Sequence, residues 1–257
     1  MNPKDVAIAA AKEAGKKLLE LSKNPIKYSF KNPHDILAEG DLLSEKIIVE
    51  KIKQYFPTHS ILSEEQGDDK KESDYKWVID PIDGTINFAR NIEEYCISIA
   101  LTKKDERILG VVYQPAINKL FIAEKGKGTF LNNQKITVSK ETKLINTIGS
   151  TDNAGIPPTR TQNFLLLEKV STKVRQMRIF GSSALHLARL ASGQLDFHFK
   201  VTANYWDYAA AAVLVEEAGG KVTDFLGLPF TKESKNIVAS NGLLHKNVLQ
   251  LLLGNYK

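Results

Sequence analysis

The first half of the chain carries two helical patterns and a series of short apolar runs. Apolar residues recur at helical spacing over residues 5–21 and 42–55, which predicts two amphipathic helices. Strand-like runs lie at 27–30, 60–62 and 76–79 and, separated by turn residues, at 97–101, 108–113, 120–124 and 128–131. Because the last four follow one another so closely, we expect them to form an antiparallel meander.

The second half alternates between helices and strands, which is typical of an α/β arrangement with a mixed sheet. Helical patterns cover 162–172, 182–191, 206–218 and 243–252, and strand-like runs lie at 144–150, 177–180, 195–199, 221–223 and 236–239. Glycine and proline residues mark 151–161 as the connection between the halves. We therefore expect an α+β subdomain at 1–150 and an α/β subdomain at 151–257, joined into one compact catalytic unit.

The composition narrows the class of protein. Hydrophobic residues make up 42% of the 257 positions, which is enough for a full core. The formal net charge is +5, but basic and acidic residues are interspersed, so a nucleic-acid partner is not expected. The single cysteine, Cys96, lies in a strand-like run and is expected to pack in the core, and the five histidines lack zinc-ligand spacing.

Two further patterns bear on location. No secretion signal is recognisable near the N-terminus, and no apolar run approaches the roughly 18 residues that a membrane helix needs. We therefore expect a cytoplasmic protein without a membrane segment.

The most informative stretch is residues 77–88, which read Trp-Val-Ile-Asp-Pro-Ile-Asp-Gly-Thr-Ile-Asn-Phe. An apolar strand ends here in a turn, because Pro81 cannot donate to a sheet and Gly84 tolerates left-handed backbone angles. The turn can aim the Asp80 and Asp83 carboxylates and the Ile82 carbonyl at one point, which suits a hard cation such as Mg²⁺. Gly84 and the threonine after it offer amides for a phosphate. Phosphoryl chemistry is indicated, and a polar turn that caps backbone amides is the alternative.

Residues 80–88, Asp-Pro-Ile-Asp-Gly-Thr-x-Asn-Phe, resemble the signature of the inositol monophosphatase family of Mg²⁺-dependent, lithium-sensitive phosphomonoesterases. Two further blocks carry the same resemblance: Ser-Glu-Glu at 63–65, and Trp-Asp-Tyr-Ala-Ala at 206–210 followed by Glu-Ala-Gly-Gly at 217–220. The likeness extends over residues 5–252. It implies a layered α-β-α-β-α sugar-phosphatase fold, a homodimer, and a small phosphate ester as substrate.

The resemblance also implies the ligands for two or three Mg²⁺ ions. Glu64, Asp80 and the Ile82 carbonyl would hold one ion, and Asp80 would bridge it to a second ion held by Asp83 and Asp207 as well.

The same resemblance assigns the attacking water and the phosphate. Thr85 and Glu64 would orient and help to deprotonate the water, and Asp41 would support Thr85. Gly84 and Thr85 would bind the phosphate. Taken alone, Asp41 would be a helix cap.

Substrate contacts are expected around the metal positions and at one helix start, from Asp83, Gly181, Ser182, Ser183, Lys200 and Asp207. A serine just after Gly181 sits where a helix N-terminus can bind ligand oxygens, although a plain helix cap is the alternative. Lys200 departs from the family pattern, because inositol-selective members usually carry glutamate there.

These patterns leave several functions open. Inositol 1-phosphate is the expected substrate. Lys200 would suit a second phosphate, so a fructose 1,6-bisphosphatase or a nucleotide 3'-phosphatase is the alternative, unless Lys200 is an exposed surface residue. A rival of another class is an RNA- or polymerase-associated regulatory protein, a role known for some bacterial relatives. The complete set of metal ligands argues against a purely non-catalytic role.

Overall fold

Two long helices form the outer layer of the first half in the computed structural model, which describes residues 1–153, 155 and 157–254. They are α1, Pro3–Leu21, and α2, Glu39–Tyr55. The Asn2 side chain accepts a hydrogen bond from the Asp5 backbone N–H and so caps the N-terminus of α1. Pro3 occupies the first turn, where a backbone N–H would have no partner within the helix. An alanine-rich face of α1 lets it pack closely on α2.

An eight-stranded sheet lies beneath these helices. Its strands run in the order β10-β9-β8-β7-β6-β5-β3-β4. Every neighbouring pair is antiparallel except β3 and β5, which are parallel. A separate hairpin of β1 and β2 and a short helix, α3, complete this half. The bounds are β1 Tyr28–Asn32, β2 Asp35–Ala38, β3 Ser60–Ser63, β4 Gly67–Asp68, β5 Tyr75–Asp83, α3 Thr85–Ala89, β6 Cys96–Lys103, β7 Glu106–Gln114, β8 Lys119–Glu124, β9 Gly128–Leu131 and β10 Gln134–Ile136.

The second half contains a five-stranded mixed sheet in the order β12-β11-β13-β15-β14. β11 is parallel to β12 and β13, whereas β15 is antiparallel to β13 and β14. The bounds are β11 Ile148–Ser150, α4 Thr159–Ser171, β12 Gln176–Arg178, α5 Ser183–Ala191, β13 Phe197–Lys200, α6 Tyr205–Glu217, β14 Lys221–Thr223, β15 Ile237–Ser240 and α7 His245–Leu253.

The elements stack in five layers. α1 and α2 cover one face of the large sheet, and α5 and α6 lie between the large and the small sheet. α4 and α7 cover the outer face of the small sheet. At Gly110 of β7, an added Cβ would lie 2.2 Å from the Ala210 carbonyl oxygen, so this glycine permits the close approach of α6. The predicted α-β-α-β-α layering is confirmed, and so are the meander and the mixed second sheet.

Several local predictions were wrong. Residues 144–150 do not form one strand, because Leu144–Asn146 is a 3₁₀ turn before β11. β2, β4, β10 and α3 were not predicted, since each is too short to show a hydrophobic period. β5 continues beyond Pro81 as far as Asp83.

The predicted connection at 151–161 is only partly described. Residues 154 and 156 lie outside the described residues, and α4 already begins at Thr159. Because α5 and α6 contact both sheets, the division into two subdomains at residue 150 stays a prediction.

Two smaller findings concern Cys96 and the membrane. Cys96 is fully buried, as expected for a core residue. Among the described helices, none combines the length and apolar character needed to cross a membrane.

Candidate active site

A cleft of about 430 Å³ opens where the end of β5 meets α3, the end of β13, and the N-termini of α5 and α6. Most of the predicted site residues line it, although they come from both halves of the chain. Asp41 and Ser182 are the exceptions, because both are buried behind the lining. The predicted residues that line the cleft are Glu64, Asp80, Ile82, Asp83, Gly84, Thr85, Gly181, Ser183, Lys200 and Asp207.

The end of β5 is shaped by a break in its pairing with β6 between Asp80 and Asp83. Pro81 has no N–H to donate there, and its carbonyl accepts a hydrogen bond from Ser44 Oγ at 2.8 Å. Gly84 then takes φ +100°, and a Cβ at this position would lie 2.8 Å from the carbonyl oxygen of Glu94. The strand therefore ends in a turn that requires glycine and presents both aspartates to the cleft.

Thr85 is held by two oxygen atoms. Its Oγ1 lies 3.0 Å from Asp41 Oδ1 and 3.0 Å from the Ile82 carbonyl oxygen. The other oxygen of Asp41 accepts from the Ala38 N–H at 2.7 Å, at the start of α2. Burial raises the pKa of Asp41 to about 7. The predicted contact between Asp41 and Thr85 is therefore present, while their catalytic role stays a prediction.

Asp83 connects the large sheet to α5. Its carboxylate accepts hydrogen bonds from Ser182 Oγ at 2.7 Å, the Ser183 N–H at 3.0 Å and the Ala184 N–H at 2.5 Å. Burial raises the pKa of Asp83 to about 6, although these hydrogen bonds oppose the rise. The predicted substrate contact of Ser182 needs correction, because this hydroxyl is buried and turned towards Asp83. Ser182 positions Asp83 at the N-terminus of α5.

The acidic side chains of the cleft differ in how their charge is balanced. Lys31 of the β1–β2 hairpin lies 3.1 Å from Glu64 Oε1 and also pairs with Glu65. Burial nevertheless raises the pKa of Glu64 to about 7. Asp80 Oδ1 is buried, and no described residue is its hydrogen-bond partner. Burial, followed by the charges of neighbouring carboxylates, raises the pKa of Asp80 well above its ordinary value.

Lys200 lies inside the cleft, so the alternative of an exposed surface lysine was wrong. Its Nζ donates to Ser183 Oγ at 3.1 Å and lies 3.7 Å from Asp207 Oδ2, and its side chain is only 14% exposed. Burial raises the pKa of Asp207 to about 7, although the Lys200 charge opposes the rise. The ammonium therefore replaces the expected glutamate with a cation next to a predicted metal ligand.

Sequence reasoning missed a polar network behind Ser183. Asp152 accepts from Ser183 Oγ and pairs with His186 Nε2, both at 2.9 Å. Burial alone would raise the pKa of Asp152, but the charges of His186 and Lys200 outweigh it and hold the pKa below its ordinary value. His186 stacks on His198, whose Nδ1 lies 3.1 Å from Ser150 Oγ. No motif of closely spaced residues predicts this network, because its members are far apart in the sequence and meet only in the folded chain.

The donor set suits a hard cation. In the described part of the chain, no three acidic, histidine or cysteine side chains meet closely enough to form a preassembled metal site. The reason is visible in the contacts: Glu64 is bound to Lys31, and Asp83 is bound to the start of α5. All the predicted donors are nonetheless oxygen atoms, and Asp80 Oδ1 is buried without a partner. The residues present therefore fit Mg²⁺, which would displace the Lys31 ammonium from the Glu64 carboxylate.

Similarity to known proteins extends over nearly the whole chain. The model of the inositol monophosphatase family matches residues 3–255. The chain is 40% identical over 218 residues to a fructose-1,6-bisphosphatase/inositol-1-monophosphatase of Thermotoga maritima, which covers 85% of this chain and 82% of the relative. It is 35% identical over 257 residues to Nus factor SuhB of Pasteurella multocida, with 97% and 95% covered. A crystal structure of extragenic suppressor protein suhB from Bartonella henselae superposes with a TM-score of 0.93 at 32% identity, over 98% of each chain.

We predict that Mg²⁺ stabilises the protein more at about pH 8 than at about pH 5.5. Glu64 and Asp207 have pKa values of about 7 in the folded chain, above their ordinary 4.5 and 3.8. Between these values the folded chain binds more protons than the unfolded chain, so the metal-free protein loses stability as the pH rises. Mg²⁺ binds the ionised carboxylates and offsets this loss.

The thermal unfolding midpoint with chelator and with Mg²⁺ at each pH checks this prediction. Sodium chloride at matched ionic strength is the control for general salt effects. An equal shift at both pH values, or no shift at the higher pH, would contradict it.

Proposed function

The chain belongs to the inositol monophosphatase family, and from that premise we propose that it hydrolyses inositol 1-phosphate to inositol and phosphate with Mg²⁺ as cofactor. The observation that carries the proposal is the buried Asp80 carboxylate next to the Thr85–Asp41 contact, because one oxygen of Asp80 has no partner among the residues that the structure describes. A buried charge of this kind is costly unless a cation joins it. A cation at this point would lie beside the turn that presents Gly84 and Thr85.

The residues that would hold Mg²⁺ are Glu64, Asp80, the Ile82 carbonyl, Asp83 and Asp207. When bound, Mg²⁺ supplies the positive charge that the phosphoryl oxygens and the attacking water require. The chain itself provides the orientation, because Asp83 is fixed by three hydrogen bonds at the start of α5.

Thr85 and Asp41 would handle the proton of the attacking water. Thr85 Oγ1 can accept a hydrogen bond from water while it donates its own proton towards Asp41 Oδ1, 3.0 Å away. Asp41 has a pKa of about 7, close to the pH at which a general base works best. Glu64, with a similar pKa, is the second group that can take a proton from the water.

We predict that the wild-type protein releases phosphate from inositol 1-phosphate, that a chelator abolishes the release, and that Mg²⁺ restores it. Asp80→Asn should lower kcat/KM by about a thousandfold or more, because it removes ligand charge at nearly constant volume. Phosphate detection measures the rate, and circular dichroism checks the fold of the variant. Near-normal turnover by folded Asp80→Asn protein would overturn the metal assignment.

We also predict that Thr85→Ala lowers kcat far more than it raises KM, because the lost hydroxyl acts in the transition state. A loss of about 100-fold in kcat is expected for a general-base contact. Thr85→Ser keeps the hydroxyl and is the matched control, which should retain most of the rate. If Thr85→Ala changes KM alone, Thr85 is a binding residue only.

A second candidate substrate is a bisphosphate such as fructose 1,6-bisphosphate, or a nucleotide 3'-phosphate. Lys200 stands in the cleft where inositol-selective relatives carry a glutamate, so its presence there argues against strict inositol selectivity. The name of the Thermotoga maritima relative includes both activities. A panel of these substrates against inositol 1-phosphate, with phosphate detection, ranks them by kcat/KM.

The remaining properties are also proposals by family resemblance. We propose that the protein is a cytoplasmic homodimer that binds two or three Mg²⁺ ions and is inhibited by lithium. The alternative to an enzyme is a regulatory protein that acts with RNA or RNA polymerase. The name of one relative, Nus factor SuhB, supports this alternative. Salt-dependent RNA binding by protein that lacks phosphatase activity would favour that alternative.

A further inference from the structure

Arg160 lies where two cavities meet. It lines the catalytic cleft together with Asp80 and Thr85, and it also lines an adjoining cavity of about 330 Å³. The walls of the second cavity combine apolar residues, including Phe30 and Ile86, with the charged residues Asp35 and Arg90. A substrate whose reacting phosphate sits near Asp80 would therefore extend towards Arg160.

The guanidinium of Arg160 has no carboxylate of the described residues within ion-pair distance, although Asp35 lines the same two cavities. Its Nη1 lies 3.3 Å from Nδ1 of His34, at the tip of the β1–β2 hairpin. Its Nε is buried and has no hydrogen-bond partner within residues 1–153, 155 and 157–254. A partly buried cation in this state costs free energy unless an anion approaches. The planar guanidinium also matches the geometry of a phosphate or carboxylate.

Lys200 differs from Arg160 in this respect. Its Nζ is 3.7 Å from Asp207 and is hydrogen bonded to Ser183, whose hydroxyl donates to Asp152. The Lys200 charge is thus balanced within the protein, and a second phosphate placed there would also meet those carboxylates. Of these two cations in the cleft, Arg160 is the one whose charge remains available to a ligand.

We propose that Arg160, oriented by His34, forms a subsite for a second anionic group on the substrate, such as the second phosphate of a compact sugar bisphosphate. The inference rests on the proposed phosphatase function and adds to it a specificity-determining residue. The apolar residues beside Arg160 would cover the carbon skeleton between the two phosphates. We place the reacting phosphate at Asp80 and Thr85, so an anionic group bound at Arg160 would act on substrate affinity.

The test compares fructose 1,6-bisphosphate with fructose 1-phosphate, which lacks only the second phosphate. Arg160→Gln should lower kcat/KM for the bisphosphate by about 10- to 150-fold, the usual worth of a charge-assisted hydrogen bond. The loss should appear mainly in KM. For fructose 1-phosphate the same variant should lose less than about threefold. Arg175→Gln, an exposed position outside the cleft, controls for the loss of one positive charge.

The possible outcomes distinguish a failure of the Arg160 subsite from a failure of the phosphatase function. If the wild type hydrolyses both substrates and Arg160→Gln loses rate mainly on the bisphosphate, the subsite is supported. Equal losses on the two substrates, or a wild type that hydrolyses only monophosphates, would overturn the subsite and leave the phosphatase function standing. A wild type that hydrolyses no phosphate ester at all would overturn both.

Discussion

The structure depends on the burial of several carboxylates in one cleft. Each buried charge is costly unless a partner compensates it, and like charges nearby increase the cost. Asp83 is compensated by the start of α5, Glu64 by Lys31, and Asp207 by Lys200. For Asp80, one oxygen has no hydrogen-bond partner in the described part of the chain. Asp80 is therefore the least compensated of these carboxylates, and it is also one of the residues that would hold the cation.

The five-layer fold brings these carboxylates together from different elements. Asp80 and Asp83 belong to the large sheet, while Asp207 begins the buried helix between the sheets. The hydrogen bonds from α5 to Asp83 join the two halves at the cleft itself, so neither half holds a complete site. Close approach of α6 to the large sheet at Gly110 places Asp207 on the same cleft.

The sequence predicted those parts of the site that lie close together in the chain. The turn from Asp80 to Thr85 was readable because proline, glycine and two aspartates restrict the backbone locally. Long helices and the meander were readable because their hydrophobic periods are long. By contrast, Asp152 and Arg160 gain their meaning from partners far away in sequence, such as Ser183 and His34. No local pattern could reveal those contacts.

The same reason explains the corrections. Ser182 looked like a ligand-binding helix start, but its hydroxyl is taken by Asp83, 99 residues earlier in the chain. Lys200 could be read as a surface lysine until its burial beside Asp207 was visible. Short elements such as β2 and α3 are stabilised by tertiary packing, which a hydrophobic period cannot show.

We propose that a cation bound at Asp80 completes the cleft. Calorimetric titration of Mg²⁺ into chelator-treated wild-type protein and into folded Asp80→Asn protein tests it most directly. We expect saturable binding to the wild type and an affinity at least about tenfold weaker in the variant, because the charge of a residue that would hold the ion is lost. Equal Mg²⁺ affinity for the two proteins, or no saturable binding to the wild type, would contradict it.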